Sequence, residues 1–96
     1  MLNVGDKIYY LDYEDSHSSY TIVQIEEISN DEYIRDGYYY HVHSDSLPNG
    51  VGYYLVSVEQ VDTNNIKDRY YSSPEKAHEA YKHFKEWRKN ICYENN

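Results

Sequence analysis

The sequence predicts a mainly β protein that ends in one α-helix. Apolar and polar residues alternate with a period of two over Val4–Tyr71, and clusters of turn residues interrupt the pattern, which is typical of short antiparallel strands. Closer to the C-terminus the apolar period changes to 3.6, which indicates a helix. The 96 residues suffice for a single domain. We divide it into an acidic β part (1–71), a helical part (72–92) and a frayed tail (93–96).

The first two strands follow from alternation and β-branched content. The sequence places one strand at Lys7–Tyr13 and, after a polar loop, a second at Tyr20–Ser29. The alternation of the second strand slips at Ile22-Val23 and again at Glu26-Glu27. We therefore expect a bulge or a strong bend at both points.

Turn signals separate the remaining strands. An Asp-Gly pair precedes a third strand at Tyr38–Ser44, and an Asn-Gly pair precedes a fourth at Val51–Val58. A single helical turn is predicted at Glu59–Asp62, followed by a fifth strand at Ile66–Tyr71.

The C-terminal helix is predicted at Pro74–Asn90. Ser73 is a suitable N-cap, and Pro74 suits the first helical position. One face of this helix carries an apolar stripe, formed by Ala77, Ala80, Tyr81, Phe84, Trp87 and Ile91. We expect the stripe to cover the sheet, so that Trp87→Ala would damage folding.

Five short, bent strands with one helical turn before the last strand predict a small five-stranded SH3-like barrel. The helix would cap one opening of this barrel or pack on an outer face. An open antiparallel sheet crossed by the helix, in the α+β class, is the alternative.

Two segments carry a resemblance to known proteins. Val4–Leu11 looks like the first strand of small SH3-like proteins of Gram-positive bacteria and their phages, and Tyr70–Ala77 is similar to their last strand and capped helix. The resemblance implies the barrel fold and an origin in a phage or mobile element. Many of those proteins are accessory or host-interaction factors, so it implies a role of that kind and transfers no site residue.

The charge is negative and unevenly distributed. The formal net charge is -8, and residues 1–62 carry twelve acidic side chains against two basic ones. Residues 63–96 carry five acidic and seven basic side chains. An acidic body repels nucleic acids and anionic membranes and attracts basic protein surfaces within about 10 Å.

The sequence lacks the residue patterns that are typical of several function classes. One cysteine, Cys92, excludes an internal disulfide and suits a cytoplasmic protein. The four glycines stand in turn contexts rather than in a phosphate-binding loop, and no base is marked beside Cys92. We therefore expect no enzyme activity, no cofactor and no membrane segment.

His41 and His43 are the candidate metal ligands. They project from the same face of the third strand, which Asp45 continues. A zinc site would need a further ligand, for which His17, His78 or His83 are available. A solvent-facing polar strand is the interpretation we favour, and a pH-sensitive face is a third one.

Tyrosine is the most unusual component, with 14 copies against one Phe and one Trp. Consecutive tyrosines on a strand must point to opposite faces, so some belong to the core and others offer rigid contact area for a partner. Together with the acidic loops, these outward rings define the predicted partner-binding residues: Glu14, Asp15, Glu26, Glu27, Asp31, Glu32, Tyr39 and Tyr54.

The leading hypothesis is a non-enzymatic protein-binding module that blocks a basic, nucleic-acid-binding surface by mimicking DNA or RNA. We expect the acidic barrel rather than the helix to carry the binding face. One alternative is an oligomerising accessory protein, most simply a two-fold homodimer built through tyrosine-rich edges. A small metal-binding protein that uses His41 and His43 is the other.

Overall fold

The computed structural model describes the backbone of residues 1–11, 16–63, 65 and 68–94, and the side chains of these residues up to position 86. It confirms a mainly β protein with one helix near the C-terminus. The elements are β1 (Lys7–Leu11), β2 (His17–Ile28), β3 (Gly37–Ser44), β4 (Tyr53–Ser57), a 3₁₀ turn (Val58–Gln60), β5 (Tyr70–Tyr71) and α1 (Pro74–Glu94).

The five strands form one antiparallel sheet in the order β4-β3-β2-β1-β5. The sheet curls into a half-barrel, which lies between the barrel and the open sheet that the sequence allowed. In the described residues β4 pairs only with β3, and β5 pairs with β1 and, through a single parallel bridge, with Val61. This bridge joins Val61, the residue that follows the 3₁₀ turn, to Tyr70 of β5.

The observed starts of β2 and β4 differ from the predicted ones. β2 begins at His17 because Ser18 and Ser19, predicted as loop, pair with β1. β4 begins only at Tyr53 because Gly52 has a turn conformation with φ +78°. Residues 66 and 67 of the predicted fifth strand, and residues 12 and 13 of the first, lie outside the described residues.

One of the two predicted irregularities in β2 is present. The β2–β3 register shifts between Ile22 and Gln24, so Val23 forms the bulge. No bulge is present at the second point, because pairing is regular from Gln24 to Ile28. β1 covers β2 only as far as Thr21. Glu26 and Glu27 point to opposite faces of the strand and both are exposed. Two consecutive polar residues can therefore occur here without a bulge.

A first core lies on the concave side of the sheet. Its five buried side chains come from four strands: Ile8, Ile22, Tyr40, Val42 and Val56. The Tyr40 ring is buried, and its hydroxyl accepts a hydrogen bond of 2.9 Å from the Leu2 backbone N–H. The N-terminal segment is thereby fixed against the concave face.

The helix packs on the outer face of β1 and β5, one of the two predicted positions. Leu11 and Tyr71 from the strands meet Ala77 of α1 in a second buried cluster, with Ala80, Tyr81 and Phe84 partly buried beside it. The Ser73 hydroxyl accepts a 3.2 Å hydrogen bond from the Lys76 N–H, as expected of the N-cap. The side chain of Trp87 lies outside the described residues, so its burial stays a prediction.

The helix continues past its predicted end at Asn90 and past the start of the predicted frayed tail. It reaches Glu94, since no proline or glycine follows Pro74 to stop it. Within the described residues, no helix combines the length and the apolar character that crossing a lipid bilayer requires.

A polar cluster fastens the β3–β4 turn to β1 and β2. The Asp45 carboxylate accepts hydrogen bonds from Lys7 Nζ (2.7 Å) and Thr21 Oγ1 (2.5 Å). Partial burial alone would raise the pKa of Asp45. The hydrogen bonds from Lys7, Thr21 and Ser19 outweigh it and lower the pKa from 3.8 to about 2.

Asp45→Asn should lower the free energy of unfolding by about 1–2 kcal/mol at pH 7. Because the folded-state pKa is depressed, the carboxylate stabilises the fold above about pH 4, and this contribution is lost as the pH falls toward 2. Urea unfolding of wild type and variant at pH 7 and at pH 2 measures the difference in the free energy of unfolding between the two proteins. Glu32→Gln, which removes an exposed carboxylate, is the control. A difference that persists unchanged at pH 2 would contradict the prediction.

Candidate functional site

The far end of the β2–β3 hairpin projects beyond the rest of the sheet. β1 pairs with β2 only over His17–Thr21, and β4 ends opposite Tyr39. The β2–β3 ladder continues to its last pair, Ile28 with Gly37. We name residues 26–39, the end of this ladder and its connecting loop, the hairpin tip.

The hairpin tip is acidic and exposed. It carries five carboxylates, all on exposed residues, against one guanidinium, that of Arg35: Glu26, Glu27, Asp31, Glu32 and Asp36. At the opposite end of the hairpin, the Asp45 charge is compensated by Lys7. Five of the nine acidic side chains that the structure describes up to residue 62 therefore lie on one projecting element.

Hydrogen bonds hold the loop of the hairpin tip in one shape. Asp31 Oδ1 accepts from the N–H groups of Tyr33 (2.8 Å) and Ile34 (2.9 Å). Asp36 Oδ1 accepts from the Asn30 N–H at 3.1 Å, and Asn30 itself has a φ of +60°. Asp31 and Asp36 therefore fix the conformation of the loop in addition to contributing negative charge. The other acidic side chains of the hairpin tip project from a loop of defined shape.

Tyrosines accompany the carboxylates. The Tyr33 side chain is 90% exposed, and Tyr38 is about half exposed. The Tyr39 hydroxyl donates a 2.7 Å hydrogen bond to the Arg35 carbonyl across the hairpin. A tyrosine as exposed as Tyr33 contributes no packing to this fold and has its full ring area available for a partner.

The structure brings five of the eight predicted partner-binding residues together. Glu26, Glu27, Asp31, Glu32 and Tyr39 all belong to the hairpin tip. Glu14 and Asp15 lie outside the described residues.

Tyr54 lies elsewhere. It faces Val42 across the β3–β4 ladder, on the concave side, whereas Tyr39 faces Ser57 on the outer side. Its ring meets Tyr20 edge to face at 5.7 Å. Strand parity separates the two tyrosines, because residues an odd number of positions apart in register point to opposite faces.

Sequence reasoning missed three members of the hairpin tip: Tyr33, Asp36 and Tyr38. Tyr33 stands between two turn-forming aspartates, a position that predicts exposure. Asp36 belongs to the Asp-Gly turn signal, which by itself indicates no contact with a partner. Tyr38 shares the concave side of β3 with Tyr40, but β1 does not extend far enough to bury it.

The two candidate metal ligands share the outer face of β3 but bind different partners. His41 Nε2 lies 2.5 Å from Glu26 Oε2. His43 Nε2 lies 3.1 Å from the Pro48 carbonyl, and its ring contacts the Tyr53 ring at a centroid distance of 4.5 Å with a tilt of 50°. Asp45 continues this face as expected, with its carboxylate on Lys7. Among the described residues, no three His, Cys, Asp or Glu side chains converge in a way that could hold a metal ion.

Four tyrosines line the concave side near its opening. Tyr10 contacts Tyr70 at 5.2 Å, and Tyr20 contacts Tyr54 at 5.7 Å. Burial raises the pKa of Tyr70, and the neighbouring hydroxyls of Tyr20, Tyr10 and Tyr54 raise it further. Tyr20 and Tyr70 pack against the concave core, which is the role expected of inward tyrosines, whereas Tyr54 is 51% exposed.

A groove of about 690 Å³ runs between α1 and residues 62–63. Its apolar lining comes from Tyr71, Ala80 and Phe84, and its rim carries side chains of both signs. The Asp62 carboxylate accepts hydrogen bonds from Ser72 (2.6 and 2.9 Å) and from Lys76 Nζ (3.1 Å), which lower its pKa against the opposing effect of partial burial. This mixed rim defines no single ligand chemistry.

Comparisons with protein-family models, with curated proteins and with solved structures give no match. The resemblance to SH3-like bacterial and phage proteins therefore stays a prediction. Any function has to be argued from the surface of this molecule itself.

Proposed function

We propose that this chain is a non-enzymatic, acidic protein-binding module that works as an inhibitor or host-interaction factor. Its hairpin tip docks on a basic, nucleic-acid-binding surface of another protein and competes there with DNA or RNA. The observation that carries the proposal is the projection of five exposed carboxylates and a fully presented Tyr33 from one hydrogen-bonded hairpin. The resemblance and the single cysteine favour a phage-encoded protein acting in the cytoplasm.

Charge complementarity supports this choice of partner. A basic surface that binds phosphates attracts carboxylates over about one Debye length, ~8–10 Å, and this attraction accelerates association. Nucleic acids and anionic membranes are repelled by the same charges. A basic protein is therefore the partner class that the hairpin tip favours.

The fixed shape of the loop supports high affinity. Asp31 and Asp36 bind backbone N–H groups, so the loop needs little ordering when a partner arrives. Tyr33 would add a rigid aromatic contact at the centre of the charges, the residue type most enriched at binding hot spots.

Reversing two unpartnered carboxylates tests the proposal. Among the described residues, Glu27 and Glu32 are exposed and have no hydrogen-bond partner, so lysines there should leave the fold intact. The bait proteins are wild type, Glu27→Lys/Glu32→Lys and the matched helix variant Glu79→Lys/Glu86→Lys. Each is immobilised and exposed to a Gram-positive bacterial lysate at about 50 mM and about 500 mM salt. Captured proteins are identified by mass spectrometry.

Wild type and the helix variant should capture the same basic nucleic-acid-binding protein at low salt and lose it at high salt. The hairpin variant should bind it about tenfold more weakly or worse. Equal capture by all three baits, or capture that salt does not affect, would contradict an electrostatic role of the hairpin tip.

A further inference from the structure

β4 forms one edge of the sheet and is largely apolar. Its sequence is Tyr-Tyr-Leu-Val-Ser, and the side chains of Tyr53, Tyr54 and Leu55 are 51%, 51% and 41% exposed. Leu47 and Val51 in the preceding turn are exposed as well. Half of the large hydrophobic side chains that are exposed in the described part of the chain come from this one short segment. Exposed apolar area concentrated in this way is typical of an interface.

The free edge of β4 also offers backbone hydrogen-bonding groups. The Ser44 N–H donates to the Gly52 carbonyl at 2.8 Å, and residues alternate in an antiparallel ladder. Tyr54 and Val56 therefore exchange hydrogen bonds with β3, whereas the N–H and C=O groups of Tyr53 and Leu55 point away from the sheet. The Ser57 N–H bonds to the Gln60 side chain at 3.1 Å, and Ser57 caps the 3₁₀ turn, so the outward-pointing backbone groups of this edge are those of Tyr53 and Leu55.

Nothing on this edge discourages strand pairing. Soluble proteins protect exposed edge strands with charges, prolines or bulges. Residues 46–58 contain no charged residue, although 27% of the chain is charged, and the only proline lies in the turn rather than on β4. The β3–β4 register is regular, so no bulge twists the edge away.

We propose that β4 pairs with β4 of a second copy of this chain, antiparallel about a two-fold axis at Leu55. Leu55 then exchanges two backbone hydrogen bonds with its symmetry mate, and Tyr53 of each copy lies opposite Ser57 of the other. The result is a homodimer with one continuous ten-stranded sheet.

The distribution of charge selects a second copy as the occupant. A basic partner finds no carboxylate on this edge to attract it, whereas two copies of an uncharged edge place no like charges opposite each other at the contact. In the antiparallel arrangement the two hairpin tips point to opposite ends of the dimer, because β4 ends beside the hairpin tip in each copy. This inference is independent of the proposed function and leaves both hairpin tips free.

Light scattering coupled to size-exclusion chromatography tests the dimer. At about 100 µM, wild type should show twice the 11.5 kDa mass of one chain. Leu55→Lys places two like charges opposite each other and should give a monomer with unchanged circular dichroism. Val23→Lys alters a similarly exposed apolar residue on β2 and should remain a dimer. A monomeric wild type, or a dimeric Leu55→Lys, would overturn the proposal.

Cross-linking tests the register. In a variant whose Cys92 is replaced by Ser, Leu55→Cys should form a disulfide-linked dimer rapidly under mild oxidation, because facing residues of hydrogen-bonded pairs have Cα atoms about 5.5 Å apart. Tyr33→Cys in the same background presents a more accessible thiol far from the axis and should nevertheless cross-link at least about tenfold more slowly. Equal rates would place the dimer contact on another surface and overturn this register.

Discussion

Tyr40→Ala should lower the free energy of unfolding by about 3–5 kcal/mol, the range typical of removing a buried aromatic ring. The Tyr40 side chain is only 2% exposed and fills the concave core between β2 and β4. The substitution also removes the hydroxyl that accepts the Leu2 N–H and so releases the N-terminal segment. Since domains of this size are stable by about 5–15 kcal/mol, this loss removes a large fraction of the total stability.

Urea denaturation followed by circular dichroism measures this loss. Tyr38→Ala removes the same side chain two positions earlier on β3, where it is about half exposed, and should cost less than about 1 kcal/mol. Tyr40→Phe keeps the ring and should cost about 1 kcal/mol through the lost hydrogen bond. If Tyr38→Ala destabilised the fold as much as Tyr40→Ala, the assignment of Tyr40 to the core and of Tyr38 to the exposed end of the same face would be wrong.

Leu11→Ala should have the next largest effect, a loss of about 2–5 kcal/mol. Leu11 is 1% exposed and packs between Tyr71 and Ala77, where the helix meets the outer face of the sheet. Its removal leaves a cavity at the contact that holds α1, so the helix should open before the concave core does.

Hydrogen exchange distinguishes the two clusters. In Leu11→Ala, protection should fall first in α1 and β5, whereas the amides of β3 should keep theirs until global unfolding. Leu47→Ala removes the same side chain from an exposed turn position and serves as the control. Uniform loss of protection across sheet and helix would show that the two clusters form a single cooperative unit.

The sequence predicted the elements of the fold well and their ends less well. Alternation in β3 correctly separated Tyr40 and Val42 from His41 and His43, because both sides of that strand carry a consistent polarity. The α1 stripe was equally clear. The length by which β2 and β3 extend beyond β1 was not predictable, since it depends on pairing between distant segments rather than on local pattern.

The extension of β2 and β3 beyond β1 also made the candidate site difficult to predict from the sequence. Five of its acidic and aromatic residues were named from charge and parity, yet Tyr54 was included although strand parity places it on the concave side with Tyr20. Tyr33 was overlooked because a single tyrosine in a polar loop has no periodic pattern. Only the folded hairpin shows that Asp31 and Asp36 hold the loop, whereas Glu27 and Glu32 have no hydrogen-bond partner among the described residues.

Competition with nucleic acid tests most directly whether the hairpin tip acts as a nucleic-acid mimic. The basic protein captured from lysate is loaded with a short fluorescent DNA or RNA duplex, and this chain is titrated in while anisotropy is recorded. We expect wild type and Glu79→Lys/Glu86→Lys to displace the duplex completely, and Glu27→Lys/Glu32→Lys to require at least about tenfold more protein. A duplex that stays bound while wild type joins the complex, or equal displacement by all three proteins, would contradict the proposed mimicry.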